Sequence, residues 1–240
     1  MKPVQVYIGF DSHEVSAFYV LMHSIIRQAS KPVAIIPLYQ PALRTAGLYT
    51  RERNAMESTE FSFTRFLVPY LSQYGDYSIF LDCDMLVRGD ITELIKHARA
   101  DKELRAVWCV KHDYVPRSKK KFLNQPQTSY AKKNWSSVMV FRNKFCEKLT
   151  PQYVSTASGL DLHQFVWAGG EENIGSLPKT WNYLVGEEQQ TEETPKLIHY
   201  TEGGPWFRDY QFCDHAEEWF AEYARIMPSL NVPKPSPEAA

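Results

Sequence analysis

Asp82 and Asp84 stand one residue apart, after the apolar run Ile79-Phe80-Leu81 and before Met85-Leu86-Val87. In an extended segment, side chains at i and i+2 point to the same face, so this pair can offer two carboxylates to one partner. Two carboxylates crowded at the end of a buried strand repel each other and lose hydration. A hard divalent cation relieves both penalties, and a diphosphate can share that cation. The pattern reads as an Asp-x-Asp site holding Mg2+ or Mn2+ against a nucleotide diphosphate. So short a motif also occurs as a helix cap or a solvated turn, and Asp90 just beyond it is placed to cap a helix over 91–99.

The elements that must position this pair alternate along the chain. Short apolar, β-branched runs predict strands at Val4–Gly9, Val33–Leu38, 79–81, 106–110, 136–141 and 195–200. Val15, Phe18, Tyr19, Met22 and Ile26 recur at helical spacing within 12–29. Further helices are predicted over 54–72, with Pro69 as a break, over 91–99 and 161–168, and over 214–227. In the last helix, Trp219, Phe220, Tyr223 and Met227 form the apolar face, and Glu217, Glu218 and Glu222 the other. A β-α-β order of this kind predicts the α/β class, with a mostly parallel central sheet covered by helices on both faces. Ligands of such sheets collect at the carboxyl ends of the strands. That nominates three segments for one pocket: 9–11, 82–84 and 111–113. Asp113 in the last of them is a candidate polar contact for the ligand, although its place after a strand fits a turn cap somewhat better. Lys119-Lys120-Lys121 lies in a long polar stretch that reads either as a binding loop or as a solvated one. Residues 1–231 read as a single domain and the Pro-rich 232–240 as a disordered tail.

Bulk properties fit this picture. At 240 residues, 44% apolar and 23% charged, the chain has an ordinary globular composition. A net charge of -1 argues against non-specific nucleic-acid binding. No segment has the length of a membrane span, and the start, Met1-Lys2-Pro3-Val4, reads as a first strand and not as a signal peptide. Cys83, Cys109, Cys146 and Cys213 are too scattered for a zinc or disulfide framework, so they read as reduced thiols of a cytoplasmic protein.

Six ordered blocks of the sequence, spanning Val4 to about Trp206, resemble the retaining glycosyltransferases of family 8, the glycogenin and lipopolysaccharide galactosyltransferase group. They are Val6-Tyr7-Ile8-Gly9-Phe10-Asp11, Phe63-Thr64-Arg65-Phe66-Leu67-Val68-Pro69, Phe80-Leu81-Asp82-Cys83-Asp84-Met85-Leu86-Val87, Ser136-Ser137-Val138-Met139-Val140-Phe141, Leu177-Pro178-Lys179-Thr180-Trp181-Asn182, and Ile198-His199-Tyr200-Thr201-Glu202-Gly203-Gly204-Pro205-Trp206. The resemblance implies a GT-A fold, a Mn2+ or Mg2+ cofactor and a nucleotide-sugar donor, typically a UDP-hexose.

Residue by residue, the resemblance gives the first block, with Tyr7, Ile8, Gly9 and Asp11, the uracil and ribose. Arg65 would lie near the donor, and Asp82, Cys83 and Asp84 would form the metal motif. His199 would be the third protein ligand, although a lone histidine there could also be structural. Gln164, with Asp161 one turn earlier, falls nearest the family's Asp-Gln pair beside the donor sugar. The chain departs from the pattern at Trp135, where Asn is usual, at Ser137 for glycine, at His163 for the acidic residue, and at Gly204 for a diphosphate-contacting lysine. Arg65, the Lys119–Lys121 stretch or the backbone N–H groups of Gly203 and Gly204 could replace that lysine's charge.

The expected activity is transfer of a hexose to an acceptor hydroxyl on a sugar, a lipid-linked glycan or a small molecule, in glycan or glycolipid synthesis. Peripheral membrane contact stays open. A nucleotide-sugar-binding protein without turnover and a sugar nucleotidyltransferase are the alternatives. The nucleotidyltransferase normally needs a Gly-rich basic loop, which Gly9-Phe10-Asp11 is not.

Overall fold

The computed structural model describes residues 2–53, 57–112, 132–187 and 193–226. The chain opens with β1 (Val4–Gly9), α1 (Val15–Gln28), β2 (Val33–Leu38) and α2 (Gln40–Thr45). It continues through α3 (Val68–Leu71), β3 (Tyr77–Leu81), β4 (Met85–Val87), α4 (Thr92–Ala100) and β5 (Val107–Cys109). The second half contributes β6 (Val138–Arg142), α5 (Pro151–Thr156), α6 (Gly159–His163), β7 (Ile174–Ser176), β8 (Tyr183–Leu184), β9 (Leu197–His199) and α7 (Ala216–Ile226).

Six strands form the central sheet in the order β2-β1-β3-β6-β5-β7. The pairs β1–β2, β1–β3 and β5–β7 are parallel, and β6 runs antiparallel to both its neighbours. The sheet is thus mostly parallel, with β6 as the reversed strand. Strand β3 reads buried from Ser78 to Leu81, and β6 from Val138 to Phe141. Unbroken burial of this kind, without alternation, is what a sheet covered on both faces requires. A second sheet, β4-β9-β8, grows directly out of the end of β3. It shares a smaller core with α7, built on Leu86, Tyr183, Ile198, Tyr200 and Trp219.

Two helical expectations change. Over 54–72, the described part contains only a 3-10 turn at Thr64–Leu67 and the single turn of α3. Pro69 has no N–H to continue a helix out of the preceding turn, so it sits at the start of α3. In α7 the buried face is Ala216, Trp219 and Glu222, while Phe220 and Tyr223 are partly exposed. Glu222 turns inward because His23 and Arg27 of α1 meet it there, His23 Nδ1 at 2.6 Å and Arg27 Nε at 3.1 Å. Asp90 behaves as expected of a cap: its carboxylate accepts from Thr92 N at 3.0 Å and from Thr92 Oγ1 at 2.8 Å. Asp113, the Lys119–Lys121 stretch and the tail 232–240 lie outside the described residues.

Candidate metal and nucleotide site

Asp82-Cys83-Asp84 forms the bend between β3 and β4. Asp82 is tethered by its own N–H, which donates to Ser137 O at 3.0 Å just before β6. Beyond the bend, β4 pairs antiparallel with β9 in a register that sets Met85 opposite His199. Tyr200 N donates to Asp84 O at 2.9 Å and closes the corner. Two residues of the bend between the sheets and one at the end of β9 thereby meet at the carboxyl edge of β3. One ligand atom each from Asp82, Asp84 and His199 lies within 4.8 Å of the others.

The donor set fits a divalent cation. His199 is buried, and its Nδ1 lies 2.8 Å from Asn182 Oδ1. Asn182 Nδ2 donates to Asn134 O at 3.3 Å, so the amide presents its oxygen to the ring and Nδ1 must carry the proton. In the neutral ring the lone pair of Nε2 then faces Asp84 Oδ1 at 3.3 Å, whereas a protonated ring would ion-pair with it. Asp84 Oδ1 is buried and receives no hydrogen bond. Acceptor against acceptor in a buried corner is unfavourable, and a cation between them satisfies both.

Around this corner Arg65, 5% exposed, lies with its Nη1 2.7 Å from Asp82 Oδ1 and donates to Ser136 O at 2.9 Å. Its charge is committed to orienting Asp82. Ser136 Oγ sits 2.9 Å from His163 Nδ1, and the His163 ring packs edge-on to Phe66. Glu14, just ahead of α1, is 4% exposed. Burial pushes its carboxyl well above the ordinary carboxylate range, and Asp84 and Asp11 push it further. Cys83 Sγ donates to Glu14 Oε2 at 3.5 Å, and burial raises that thiol as well. Glu14, Ser62, Arg65, Asp82, Asp84, Asn134, Ser136, His163, His199 and Gly203 all line one cavity. A wider groove of about 770 Å³, against about 110 Å³ here, lies at the opposite edge, by the amino ends of β1, β2 and β3. It holds none of the residues nominated by sequence, so chemistry and not volume selects the site.

Other nominated residues sit as follows. The side chains of Tyr7 and Ile8 are in the core, and burial pushes the Tyr7 hydroxyl up to about 12, so only their backbone can meet a ligand. Gly9 packs under Phe61, whose ring would lie 2.4 Å from an added Cβ. Asp11 is buried and occupied, accepting from His13 N at 2.9 Å and from Glu60 N at 3.0 Å. Asp161 is exposed on α6, Gln164 is half-buried, and neither lines the cavity, whereas the neighbouring His163 does. Gly203 N–H donates to Tyr200 O at 3.0 Å, so it is not open to a phosphate. Gly204 has a packing reason to lack a side chain: an added Cβ would lie 2.0 Å from the Trp206 ring.

Sequence reasoning missed Glu14, Ser62, Asn134 and the role of Asn182. Glu14 follows a polar turn and opens a helix, the usual place of a solvated acid, so nothing in its neighbourhood distinguishes it. Asn182 had a signal, its place in the fifth family-like block.

No model of a known protein family matches the chain. Protein CDI of Arabidopsis thaliana is 43% identical over 230 residues, covering 92% of this chain and 86% of that protein. The chain belongs to the Protein CDI family. Among solved structures, this CDI-family chain is similar to the galactosyltransferase LgtC in complex with donor and acceptor sugar analogues. The identity is 15% and the TM-score 0.56, covering 92% of this chain and 96% of LgtC. It is also similar to the glycosyltransferase GlyE of Streptococcus pneumoniae TIGR4, with 15% identity and a TM-score of 0.61 over 93% of this chain. The bifunctional glycosyltransferase WbbM matches at 18% identity and a TM-score of 0.56 over 92% of this chain. The chain spans 50% of WbbM and 60% of GlyE. The shared architecture is the GT-A fold.

Proposed function

We propose that this protein is a metal-dependent glycosyltransferase that moves a hexose from a nucleotide sugar, a UDP-hexose, to an acceptor hydroxyl with retention at the anomeric carbon. The observation that carries the reading is the Asp82–Asp84–His199 donor set, with the buried, unbonded Asp84 Oδ1 at its centre. Mn2+ or Mg2+ bound there would neutralise charge developing on the leaving diphosphate. The imidazole in the set favours manganese over the harder magnesium. Arg65 holds Asp82 in the orientation that ligation needs. Ser136 and His163 offer hydroxyl and imidazole contacts where a donor sugar would lie. Gln164 and Asp161 adjoin His163 at α6 and could approach the sugar only if that short helix shifted. The acceptor would be a sugar, a lipid-linked glycan or a small molecule, and four free cysteines suit a cytoplasmic protein. No helix among the described residues is long and apolar enough to cross a membrane.

The test is thermal unfolding with UDP, other nucleoside diphosphates and UDP-sugars, in Mn2+, Mg2+ or EDTA. A ligand at 100 times its Kd stabilises by about 2.7 kcal/mol, which raises Tm by roughly 5–10 °C in a chain of this size. UDP and one UDP-sugar should give such a rise with metal and none with EDTA. Asp84→Asn should abolish both the rise and transfer while keeping the metal-free Tm. A folded protein that responds to no nucleotide, or an active Asp84→Asn, refutes the assignment.

A further inference from the structure

The metal-ligand candidates meet where the two sheets join, and a line of buried and half-buried hydrogen bonds links two of them, His199 and Asp82. From His199 Nδ1 it runs to Asn182 Oδ1 at 2.8 Å, and from Asn182 Nδ2 to Asn134 O at 3.3 Å. Ser137 Oγ donates to the same Asn134 carbonyl at 3.0 Å, and Ser137 O accepts from Asp82 N at 3.0 Å. Asn182 is wholly buried, and Asn134 holds a left-handed φ of 62°, the backbone shape that aims its carbonyl at both donors. The strap therefore begins at a ligand on β9 and ends at a ligand after β3.

We propose that Asn182 is a positioning residue for the metal centre. It fixes His199 in the Nδ1–H form, so that Nε2 presents a lone pair to the cation, and through Asn134 and Ser137 it holds His199 and Asp82 at ligating separation before metal arrives. The inference rests on the metal reading of the previous subsection and adds the residue that preassembles the site. A hydrogen-bond acceptor behind a ligating histidine fixes its tautomer and raises its basicity, and loss of such a partner lowers metal affinity about 10–100-fold. Asn182 is suited to the task because an amide supplies an acceptor for the ring and a donor for the Asn134 carbonyl from one planar group.

The experiment measures Mn2+ affinity, with Mn2+ alone as the probe, by the electron-spin-resonance signal of the free ion. It compares wild type with Asn182→Leu, Asn182→Asp, His199→Ala and Asp84→Asn, with metal-free thermal unfolding followed in parallel. Asn182→Leu keeps the branched heavy-atom outline and removes both hydrogen bonds, so it should weaken Mn2+ binding about 10–100-fold. Asn182→Asp keeps an acceptor for His199 and loses the donor to Asn134. It should lower metal-free stability and weaken Mn2+ binding by less than Asn182→Leu does, because an acceptor still fixes the His199 tautomer and only the link to Asn134 is lost. Wild-type affinity in Asn182→Leu, or equal weakening in the Leu and Asp variants, overturns the proposal. If His199→Ala and Asp84→Asn also bind Mn2+ normally, the metal reading itself falls. If those two weaken binding and Asn182→Leu does not, only the role of Asn182 falls. Should Asn182→Leu fail to fold, Asn182→Ala, which removes the same two bonds without adding bulk, takes its place with the same expected loss.

Discussion

At the scale of single residues, the site is a matter of which polar atoms lack a choice. Asp84 Oδ1 and His199 Nε2 face each other because backbone pairing brings them together and Asn182 fixes the ring. Residues 82, 84 and 199 were legible as candidates because the spaced carboxylates and the histidine fall in ordered blocks that resemble one family, although neither signal is specific alone. Glu14 was not, because its burial beside the motif comes from the way α1 docks and not from its neighbours in sequence. Gly204 shows the same limit. Its departure from the lysine of the family 8 pattern that the sequence resembles is visible in sequence, and the Trp206 ring, packed 5.7 Å from Tyr200 and 5.4 Å from Trp219, centroid to centroid, is what excludes a side chain there. Gly204→Ala should force that ring to move and cost about 1–3 kcal/mol, the range for overpacking. Urea denaturation followed by tryptophan fluorescence reads both effects, and a variant as stable as wild type contradicts the close approach.

At the scale of elements, β1 and β2 follow the bounds read from sequence, because apolar β-branched runs end there at a glycine or beside a proline. The reversal of β6 was hidden, since an apolar run carries no sign of its direction. It matters to the site: running backwards, β6 brings its amino end, with Ser136, Ser137 and Asn134, to the edge where β3 delivers Asp82. Helix α7 was expected to turn its acids outward, yet Glu222 is buried against α1. Burial opposes its charge, but bonds from Arg27, His23 and Arg225 outweigh that and lower its carboxyl below the ordinary range. Arg27, His23 and Arg225 are 43%, 33% and 54% exposed at the side chain, so solvent screens much of the attraction. Glu222→Gln should therefore cost only about 1–2 kcal/mol in urea unfolding at neutral pH. A loss below about 0.3 kcal/mol would mean that the α1–α7 contact is held by its apolar residues alone.

At the scale of the whole molecule, Asp90 ties the turn after α1 to the start of α4, with Ser30 Oγ at 2.5 Å and Thr92 Oγ1 at 2.8 Å. Burial would raise its carboxyl, but the hydrogen bonds from Ser30 and Thr92 prevail and bring it to about 2, from an ordinary 3.8. A carboxyl lowered in the folded state adds stability above its unfolded pKa and loses it as pH falls through the folded one. Asp90 should thus contribute about 2 kcal/mol at neutral pH, fading between about pH 4 and pH 2. Comparing Asp90→Ala with wild type by denaturant unfolding should show that gap at pH 6 and its closure near pH 2. A gap unchanged at pH 2 would show that the lost side chain mattered for packing and not for charge.

The sequence by itself determined the α/β class and the β-α-β order, which depend on local periodicity, and nominated the two carboxylates from their spacing and His199 from its place in a family-like block. Only the tertiary structure decided that β6 runs backwards, that Arg65 is spent on Asp82, that Glu14 sits beneath the aspartates, and that Asn182 links His199 to the segment holding Asp82. Each of these depends on groups from distant segments meeting where water is excluded. There a charge or a lone pair must find its partner among whatever the fold brings near, and no window of sequence contains that choice.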